Sequence, residues 1–479
     1  MSTVNSTDTK RRERPWAVFA IVVGGYFMAQ MDLTVLTVAL PSITRDLDAS
    51  VVEGLWAVNA YVLVLAAALI TAGRLGDIYG SRRMFALGVT LFTVFSLACG
   101  LAQSPLQLIL ARAFQGLGAA LLLPQVLVTI VSLIPEERRG TALGIRGSVG
   151  AGAAIAGPLV GGLLVSLLDW RWVFFINVPI GAALLVATLL LMPEPRPQRP
   201  RRLDMAGAVL VALALLIAVY TLTQGEEAGW NIGSWAGLAA AALLVVAFVA
   251  QQRRKQEDEP LIPFAVFHSR RYRLMLVAGV GISMSVIAFT LSLSYFLQEG
   301  LAVSALRTGA VIAPASLVSM LLAPFVGRLA DRMDAKRLLT AGLGLTALGM
   351  ALCIWQMTAD AEWMYFIPMM FVIGAGNAML FTPMTAIAMR GVEPAVAGAA
   401  SGVLATFLQF GAVVGSAAVG VVMQRVAADA AFTDAARTAM LVPLAAVLVA
   451  AVACLAVDRT PPPERAEPAA AKTAAGGAK

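Results

Sequence analysis

Long apolar runs alternate with short polar connections along almost the whole chain. Crossing a bilayer takes about 20 apolar residues in a helix. Because lipid offers no partners to backbone polar groups, such runs are predicted to be helices rather than open sheets. The pattern predicts fourteen transmembrane helices in an all-α polytopic membrane protein. The predicted spans are residues 16–40, 51–72, 84–103, 106–130, 141–166, 171–192, 204–223, 232–250, 272–298, 306–326, 338–357, 361–389, 395–424 and 439–457.

Composition and charge agree with this pattern and orient it. The chain is 59% hydrophobic and 13% charged, against about 25% charged residues in a soluble domain. The N-terminus, the even-numbered connections and the C-terminal tail hold 28 Lys and Arg residues, whereas the other connections hold five. Positive charge marks the cytoplasmic side, so both termini are predicted to be cytoplasmic. The net charge of +7 is then a topology signal, and no nucleic-acid partner is expected.

A charged motif occurs twice and divides the chain. Residues 73–83 read GRLGDIYGSRR, and residues 327–337 read GRLADRMDAKR. Each copy follows the second span of a group of six, which predicts two related six-helix halves with two inserted helices between them. The predicted segments are a cytoplasmic tail at 1–15, an N-terminal half at 16–192, a basic linker, two inserted helices and a cytoplasmic loop at 193–271, a C-terminal half at 272–457, and a disordered cytoplasmic tail at 458–479.

The residue types in the first copy of the motif indicate what it can do. Its glycines allow a tight turn and a close approach of helices. Asp77 lies at a predicted helix end, where a carboxylate can meet helix N-terminal dipoles and arginines. Arg82 and Arg83 can also serve simply as positive anchors on the cytoplasmic side. The candidate gate residues are Gly73, Arg74, Gly76, Asp77, Gly80, Arg82 and Arg83.

Two charges fall deep within predicted spans. Asp32 is the one acid placed there, roughly 24 Å along the first helix from Trp16. Arg112 lies in the fourth span, in LARAFQG. A charge in lipid is costly and is a functional hypothesis by default. The alternatives are a structural carboxylate at Asp32, and an Arg112 that extends to the surface or binds backbone carbonyls.

A glycine-rich stretch runs through the fifth span and includes Gly157, Pro158, Gly161 and Gly162. Two small residues four apart form a helix face that another backbone can approach. Pro158 removes one helix hydrogen bond and permits a bend. On pattern alone, the stretch predicts tight helix packing or dimerisation.

Taken together with WRWVFFINVPIG at 170–181, these motifs resemble the fourteen-helix drug:proton antiporter branch of the major facilitator superfamily. The resemblance covers about residues 16–457. It implies the major facilitator fold, with Asp77, Arg74 and Arg83 as a cytoplasmic latch and Arg112 facing the central cavity in proton coupling with Asp32. It also implies that the Gly-Pro-x-x-Gly-Gly form marks an antiporter and seals the cavity against leak.

The function expected from this resemblance is export of antibiotics or other amphipathic drugs across a bacterial cytoplasmic membrane, driven by protons and by alternating access. An exporter of an endogenous metabolite or a self-made antibiotic, and a transport-inactive sensor, are the alternatives. No catalytic constellation or nucleotide-binding loop occurs in the sequence, so neither an enzyme nor a cofactor is expected. The partners expected are lipid, protons and a small amphipathic molecule, and the protein is expected to work as a monomer.

Some relatives that export cationic disinfectants carry extra acids in helix 2 or helix 10, whereas this chain has Asn59 at the helix 2 position and no acid in the tenth span. With Asp32 as the lone deep acid, a monocationic or neutral substrate is predicted over a dication. The candidate cavity residues are Gln30, Asn59, Gln115 and Asn377, with Gln125 and Gln409 as further polar residues in spans. Each is also able to act as a hydrogen-bonding link between helices.

Overall fold

The protein is described here from a computed structural model. The structure describes residues 15–49, 51–193, 204–225, 230–256, 260–358, 360–393, 396–427 and 432–458. The predicted basic linker and nearly all of the two predicted tails lie outside these residues. Fourteen helices in the described part are long and apolar enough to cross a membrane, which confirms the predicted all-α class.

The helices are named in chain order, and each matches one predicted span. They are α1 Pro15–Asp46, α2 Val51–Tyr79, α3 Ser81–Gly100, α4 Pro105–Leu133, α5 Arg139–Leu167, α6 Trp172–Leu191, α7 Met205–Gln224, α8 Ile232–Arg254, α9 Arg270–Gly300, α10 Ala305–Ala330, α11 Ala335–Gln356, α12 Trp363–Met389, α13 Ala397–Ala427 and α14 Phe432–Leu455. The predicted turns before α4 and before α6 are present. At the first, the Ser104 hydroxyl accepts a hydrogen bond from the Gln107 amide in the opening turn of α4.

The charged motif is mostly helix and not loop, which corrects the sequence-based boundaries. The second span was predicted to end at residue 72, but α2 continues to Tyr79. Gly73 and Gly76 therefore lie inside α2, and only Gly80 makes the turn, with a φ of 92°. Hydropathy falls at the first charged residues, whereas the helix continues until a residue with positive φ ends it. The last span also begins earlier than predicted, at Phe432 rather than residue 439.

Helices α1–α6 pack mainly on one another, and so do α9–α14. Two pairs, α2 with α13 and α5 with α10, supply most of the contact between these groups. The inserted helices α7 and α8 pack together, and α7 also lies on α2 and α13. The side of the molecule that carries the α2–α3, α4–α5 and α10–α11 connections is called the basic side below.

Glycines bring the helices of both cross-group pairs into backbone contact near the basic side. A Cβ added at Gly73 of α2 would overlap the carbonyl oxygen of Gly398 in α13. A Cβ at Gly327 of α10 would overlap the carbonyl oxygen of Gly140 in α5. The first glycine of each motif copy thus occupies the equivalent crossing in its own half. Backbones this close exclude water and ligand from the seam on that side.

We expect Gly73→Ala to destabilise this packing, because the new methyl group must push α2 away from α13. Overpacking of this kind costs about 1–3 kcal/mol. The three free cysteines, Cys99, Cys353 and Cys454, are all buried, so a thiol-reactive dye reports thermal unfolding in detergent. Gly344→Ala is the matched control, since a Cβ there meets nothing within 4 Å. Equal unfolding temperatures for the two variants would contradict the close crossing.

Candidate functional site

The two deep charges predicted from sequence form a buried ion pair between α1 and α4. The Arg112 Nη1 atom lies 2.5 Å from the Asp32 Oδ2 atom, and both side chains are fully inaccessible to solvent. The alternative in which Arg112 extends to the surface is therefore wrong for this structure. Its Nε also donates to the Ala57 carbonyl oxygen at 3.1 Å, so it binds a backbone carbonyl as well as the carboxylate.

Two amides complete the coordination of the carboxylate. The Gln115 side chain donates to Asp32 Oδ1 at 3.0 Å, and the Asn177 side chain of α6 donates to the same oxygen at 2.9 Å. Gln115 also accepts from Arg112 at 2.7 Å. Asn177 further donates to the Ser96 hydroxyl of α3 at 3.1 Å. Three helices besides α1 thus contribute side chains to one connected polar network.

This network is built for an ionised carboxylate. Arg112, Gln115 and Asn177 all approach Asp32 as donors, and an ionised carboxylate is the form that only accepts hydrogen bonds. The Tyr61 ring of α2 covers the guanidinium at 4.3 Å from its centroid, a favourable cation–π distance. The charges cancel within the group, which is the arrangement that makes a buried charge tolerable in lipid.

The glycine stretch of α5 packs against α1 beside Asp32. A Cβ at Gly157 would overlap the Thr34 hydroxyl, and a Cβ at Gly161 would press on Val35. The Thr34 hydroxyl in turn donates to the Ala153 carbonyl oxygen at 3.2 Å. Gly162 faces open space instead, and Pro158 lies within α5. The close approach predicted for this stretch is therefore made to α1 by Gly157 and Gly161.

Each copy of the charged motif places an aspartate on a helix N-terminus of the other group. Asp77 of α2 accepts hydrogen bonds from the amides of Gly398 and Ala399 in α13, both at 2.8 Å. This is the meeting with helix N-terminal dipoles that the sequence predicts for Asp77. We call it the first latch.

The second latch is built by Asp331, just after α10, on the first turn of α5. It accepts from the Gly140 amide at 2.6 Å, and from the Thr141 amide and hydroxyl at 2.8 and 2.5 Å. The resemblance implied that Arg74 and Arg83 act with Asp77; Arg74 is buried and Arg83 is exposed. Arg82, predicted as a positive anchor, donates to the Leu189 carbonyl at 2.6 Å. Both latches lie on the basic side, so the described structure is closed on that side.

A cavity of about 310 Å³ lies between the two groups of helices and the inserted helix α7. Its polar lining includes Asn59 of α2 and Gln409 of α13, both predicted from sequence as polar residues of the spans. Trp56 of α2 and Tyr220 of α7 also line it, and their rings stack with centroids 5.7 Å apart. The inserted helix thus contributes directly to the cavity wall.

The remaining predicted cavity residues lie elsewhere. Gln115 is fully buried in the Asp32 network, and Gln125 is buried against Gly76 at the α2–α4 contact. Gln30 of α1 and Asn377 of α12 are half-buried. Among the described residues, no group of three or more His, Cys, Asp or Glu side chains could hold a metal ion.

The fold and these motifs have a counterpart among known proteins. A family model described as Major Facilitator Superfamily matches residues 22–416 and, in an overlapping second match, residues 275–477. The chain belongs to the major facilitator superfamily. Because members of this family are transporters, the chain is a transporter and not an enzyme.

Individual relatives indicate which branch of the superfamily the chain belongs to. The chain is 36% identical over 417 residues to an uncharacterized MFS-type transporter of Mycobacterium tuberculosis, covering 87% of this chain and 72% of that protein. It is 34% identical to the tetracenomycin C resistance and export protein of Streptomyces glaucescens, covering 86% and 76%. The solved proton:xylose symporter XylE shares the fold, with a TM-score of 0.64 at 15% identity over 94% of this chain and 97% of that one. The predicted drug-efflux branch is confirmed.

Sequence reasoning did not assign Asn177 or Ser96 to the charge network. Asn177 was noted only as part of the segment that opens α6, and nothing in sequence spacing relates it to Asp32, 145 residues earlier. A polar side chain within an otherwise apolar span was the available signal, because such residues seek partners in the bundle interior. Tyr61 carried no comparable signal, since aromatic residues are common in spans.

The second latch should depend on pH. Asp331 is half-buried, and this desolvation raises its pKa above the ordinary 3.8, although the hydrogen bonds from Thr141 and Gly140 oppose the rise. A raised pKa means that the closed latch binds its proton more readily than an exposed carboxylate does. The latch is therefore most stable below pH 3.8 and loses stability as pH rises through the raised pKa.

We expect the unfolding temperature of the native protein to rise relative to that of Asp331→Asn as pH falls from 7 towards 4. The reason is that the partly buried Asp331 carboxylate loses its charge by protonation over this interval, whereas the asparagine side chain of the variant has no charge to lose. Thermal unfolding in detergent at each pH measures the difference. Asp360→Asn, an exposed acid on a connection, is the control. A difference that stays constant with pH would contradict the raised pKa.

Proposed function

We propose that the protein is a proton-driven antiporter that exports antibiotics or other amphipathic drugs across a bacterial cytoplasmic membrane by alternating access. In this proposal the basic side faces the cytoplasm, as the distribution of Lys and Arg favours. The described structure then has its cytoplasmic side closed by both latches. Substrate binds between the two groups of helices, where the cavity lined by Asn59 and Gln409 lies.

The observation that carries the proposal is the buried Asp32 carboxylate. It has one arginine and two amides as donors, so a proton arriving at Asp32 removes the charge that attracts Arg112 and competes with a donor for the same oxygen. Protonation thus loosens α4 and α6 from α1 together. A network with two states, selected by one proton, is what proton coupling requires.

Two sets of contacts, those of α1 with α5 and those of α5 with Asp331, give one proton a route to affect the whole transporter. Asp32 lies on α1, and α1 packs on the glycine stretch of α5 at Thr34. The first turn of α5 carries the second latch, at Gly140 and Thr141. A change of α1 packing is therefore transmitted to a helix whose other end closes the cytoplasmic side.

Export of an endogenous metabolite or self-made antibiotic is the second candidate. It is favoured by the similarity to a protein named for both resistance to and export of tetracenomycin C. The same site and the same proton coupling serve either role, so the two candidates differ in substrate alone. A sensor that does not transport has no use for a proton-sensitive network and is disfavoured by it.

We expect Asp32→Asn to abolish proton coupling, because an amide cannot gain or lose the proton. Inverted vesicles with an imposed pH gradient are challenged with a panel of antibiotics and amphipathic dyes. A drug that collapses the gradient with native protein should have no effect with Asp32→Asn. The matched control is Glu299→Gln, an exposed acid at the opposite end of α9 from the latches, which should behave as native.

Either of two results would contradict the proposal. If Asp32→Asn responds like the native protein, Asp32 is not the coupling acid. If no drug and no metabolite in the panel collapses the gradient with native protein, proton-driven export fails as a whole.

A further inference from the structure

The charges inside the membrane do not balance. Asp32 and Arg112 neutralise each other in the buried network. Arg146 of α5 is a second arginine within a span, and it has no ion pair or hydrogen bond to any of the residues that the structure describes. Its Nε atom is buried without a partner. One positive charge is thus left uncompensated in a setting where charges are costly and normally paired.

Arg146 lies near the meeting of the two groups of helices, apart from the residues that line the cavity of Asn59 and Gln409. It follows Thr141 of the second latch by five residues, which places it about 7.5 Å further into the membrane along α5. Its side chain is half-buried rather than enclosed. The neighbouring Gly147 approaches Thr382 of α12 and Ala323 of α10, so this part of α5 lies where the two groups of helices meet.

An aromatic ring already stacks on the guanidinium. The Tyr26 ring of α1 lies 4.5 Å from the Arg146 Cζ atom. A Cβ added at Gly150, one turn further along α5, would overlap the Tyr26 hydroxyl. Stacking covers one face of the planar guanidinium. Because Nε is buried, the two terminal nitrogens are the donors left to bind a carboxylate or similar group in the plane. Tyr26 and Gln30 are four residues apart and lie on one face of α1, which adds an amide to that face.

We propose that Arg146 is a substrate-binding residue that selects amphipathic anions, pairing with a carboxylate, sulfonate or phenolate of the exported molecule. The inference rests on the proposed export function and names its substrate class. It replaces the monocationic or neutral substrate expected from sequence. That expectation treated Asp32 as available to a cation, whereas Arg112, Gln115 and Asn177 already surround the carboxylate.

The experiment compares three probes that share one fluorophore and differ in charge. Dansyl sulfonate is an anion, dansylamide is neutral and dansylcadaverine is a cation. Fluorescence titration of the purified full-length protein in detergent gives a dissociation constant for each. We expect native protein to bind dansyl sulfonate at least about tenfold more tightly than dansylcadaverine, as a charge-assisted hydrogen-bond pair warrants.

Substitutions at Arg146 test whether this residue causes the preference for the anionic probe. Arg146→Gln should remove it, Arg146→Lys should retain most of it, and Arg146→Glu should reverse it towards dansylcadaverine. Rescue by lysine shows that a lost preference reflects charge and not misfolding. Arg307→Gln is the matched control, because Arg307 also lies over an aromatic ring, that of Trp363 at 5.9 Å, but at the opposite end of α10 from the second latch.

The proposal is overturned if native protein binds none of the three probes, binds them without preference, or prefers the cation. It is also overturned if Arg146→Gln keeps the native preference. Binding in detergent needs no proton gradient, so this result is independent of the vesicle experiment on Asp32. If the anion preference depends on Arg146 but the vesicle experiment finds no proton-coupled export, the proposed function is contradicted and the anion site is still supported.

Discussion

A charge in the low-dielectric interior of the membrane is costly unless an opposite charge lies beside it, and Asp32 and Arg112 meet this requirement for each other. Removing two ions from water is expensive, and their attraction offsets the cost only when the remaining hydrogen-bonding groups are satisfied as well. Gln115, Asn177 and the Ala57 carbonyl supply most of those groups, whereas Arg112 Nη2 and Asn177 Oδ1 are buried without a partner among the described residues. The pair is thereby tied to α1, α2, α4 and α6 at once. A change of protonation there cannot stay local, because every one of these helices shares the same few hydrogen bonds.

Closure of the basic side depends on a different principle, the close approach of backbones. Gly73 and Gly327 let α2 meet α13 and α10 meet α5 without intervening side chains. Only at that separation can Asp77 and Asp331 reach the amides at the N-termini of the opposite helices. The helix N-terminus favours negative charge on each aspartate, although partial burial outweighs this for Asp331 and raises its pKa. The glycine contact positions the carboxylate. Each motif copy therefore combines a close backbone crossing with an aspartate that binds the N-terminus of the opposite helix.

Sequence pattern was sufficient for the helices and the motifs, because lipid imposes length and hydropathy directly. It placed Asp32 and Arg112 in spans and Asp77 at a helix terminus, and the structure agrees. It failed where the outcome depends on distant residues. Residues 73–79 looked like loop because they are polar, yet they continue α2. Asn177 could not be assigned, because only the tertiary fold brings α6 beside α1.

Helix α5 connects the second latch, Arg146 and the contact with α1 beside Asp32. Its first turn binds Asp331, its next turns place Arg146 over the Tyr26 ring of α1, and its glycines pack on α1 beside Asp32. A helix is stiff along its axis, so a shift of α5 moves all three together. In the two proposals, an anion at Arg146 and a proton at Asp32 act on the two sides of one α1–α5 contact. Because the second latch lies on that same helix, the proposals together link occupancy of either site to opening of the basic side.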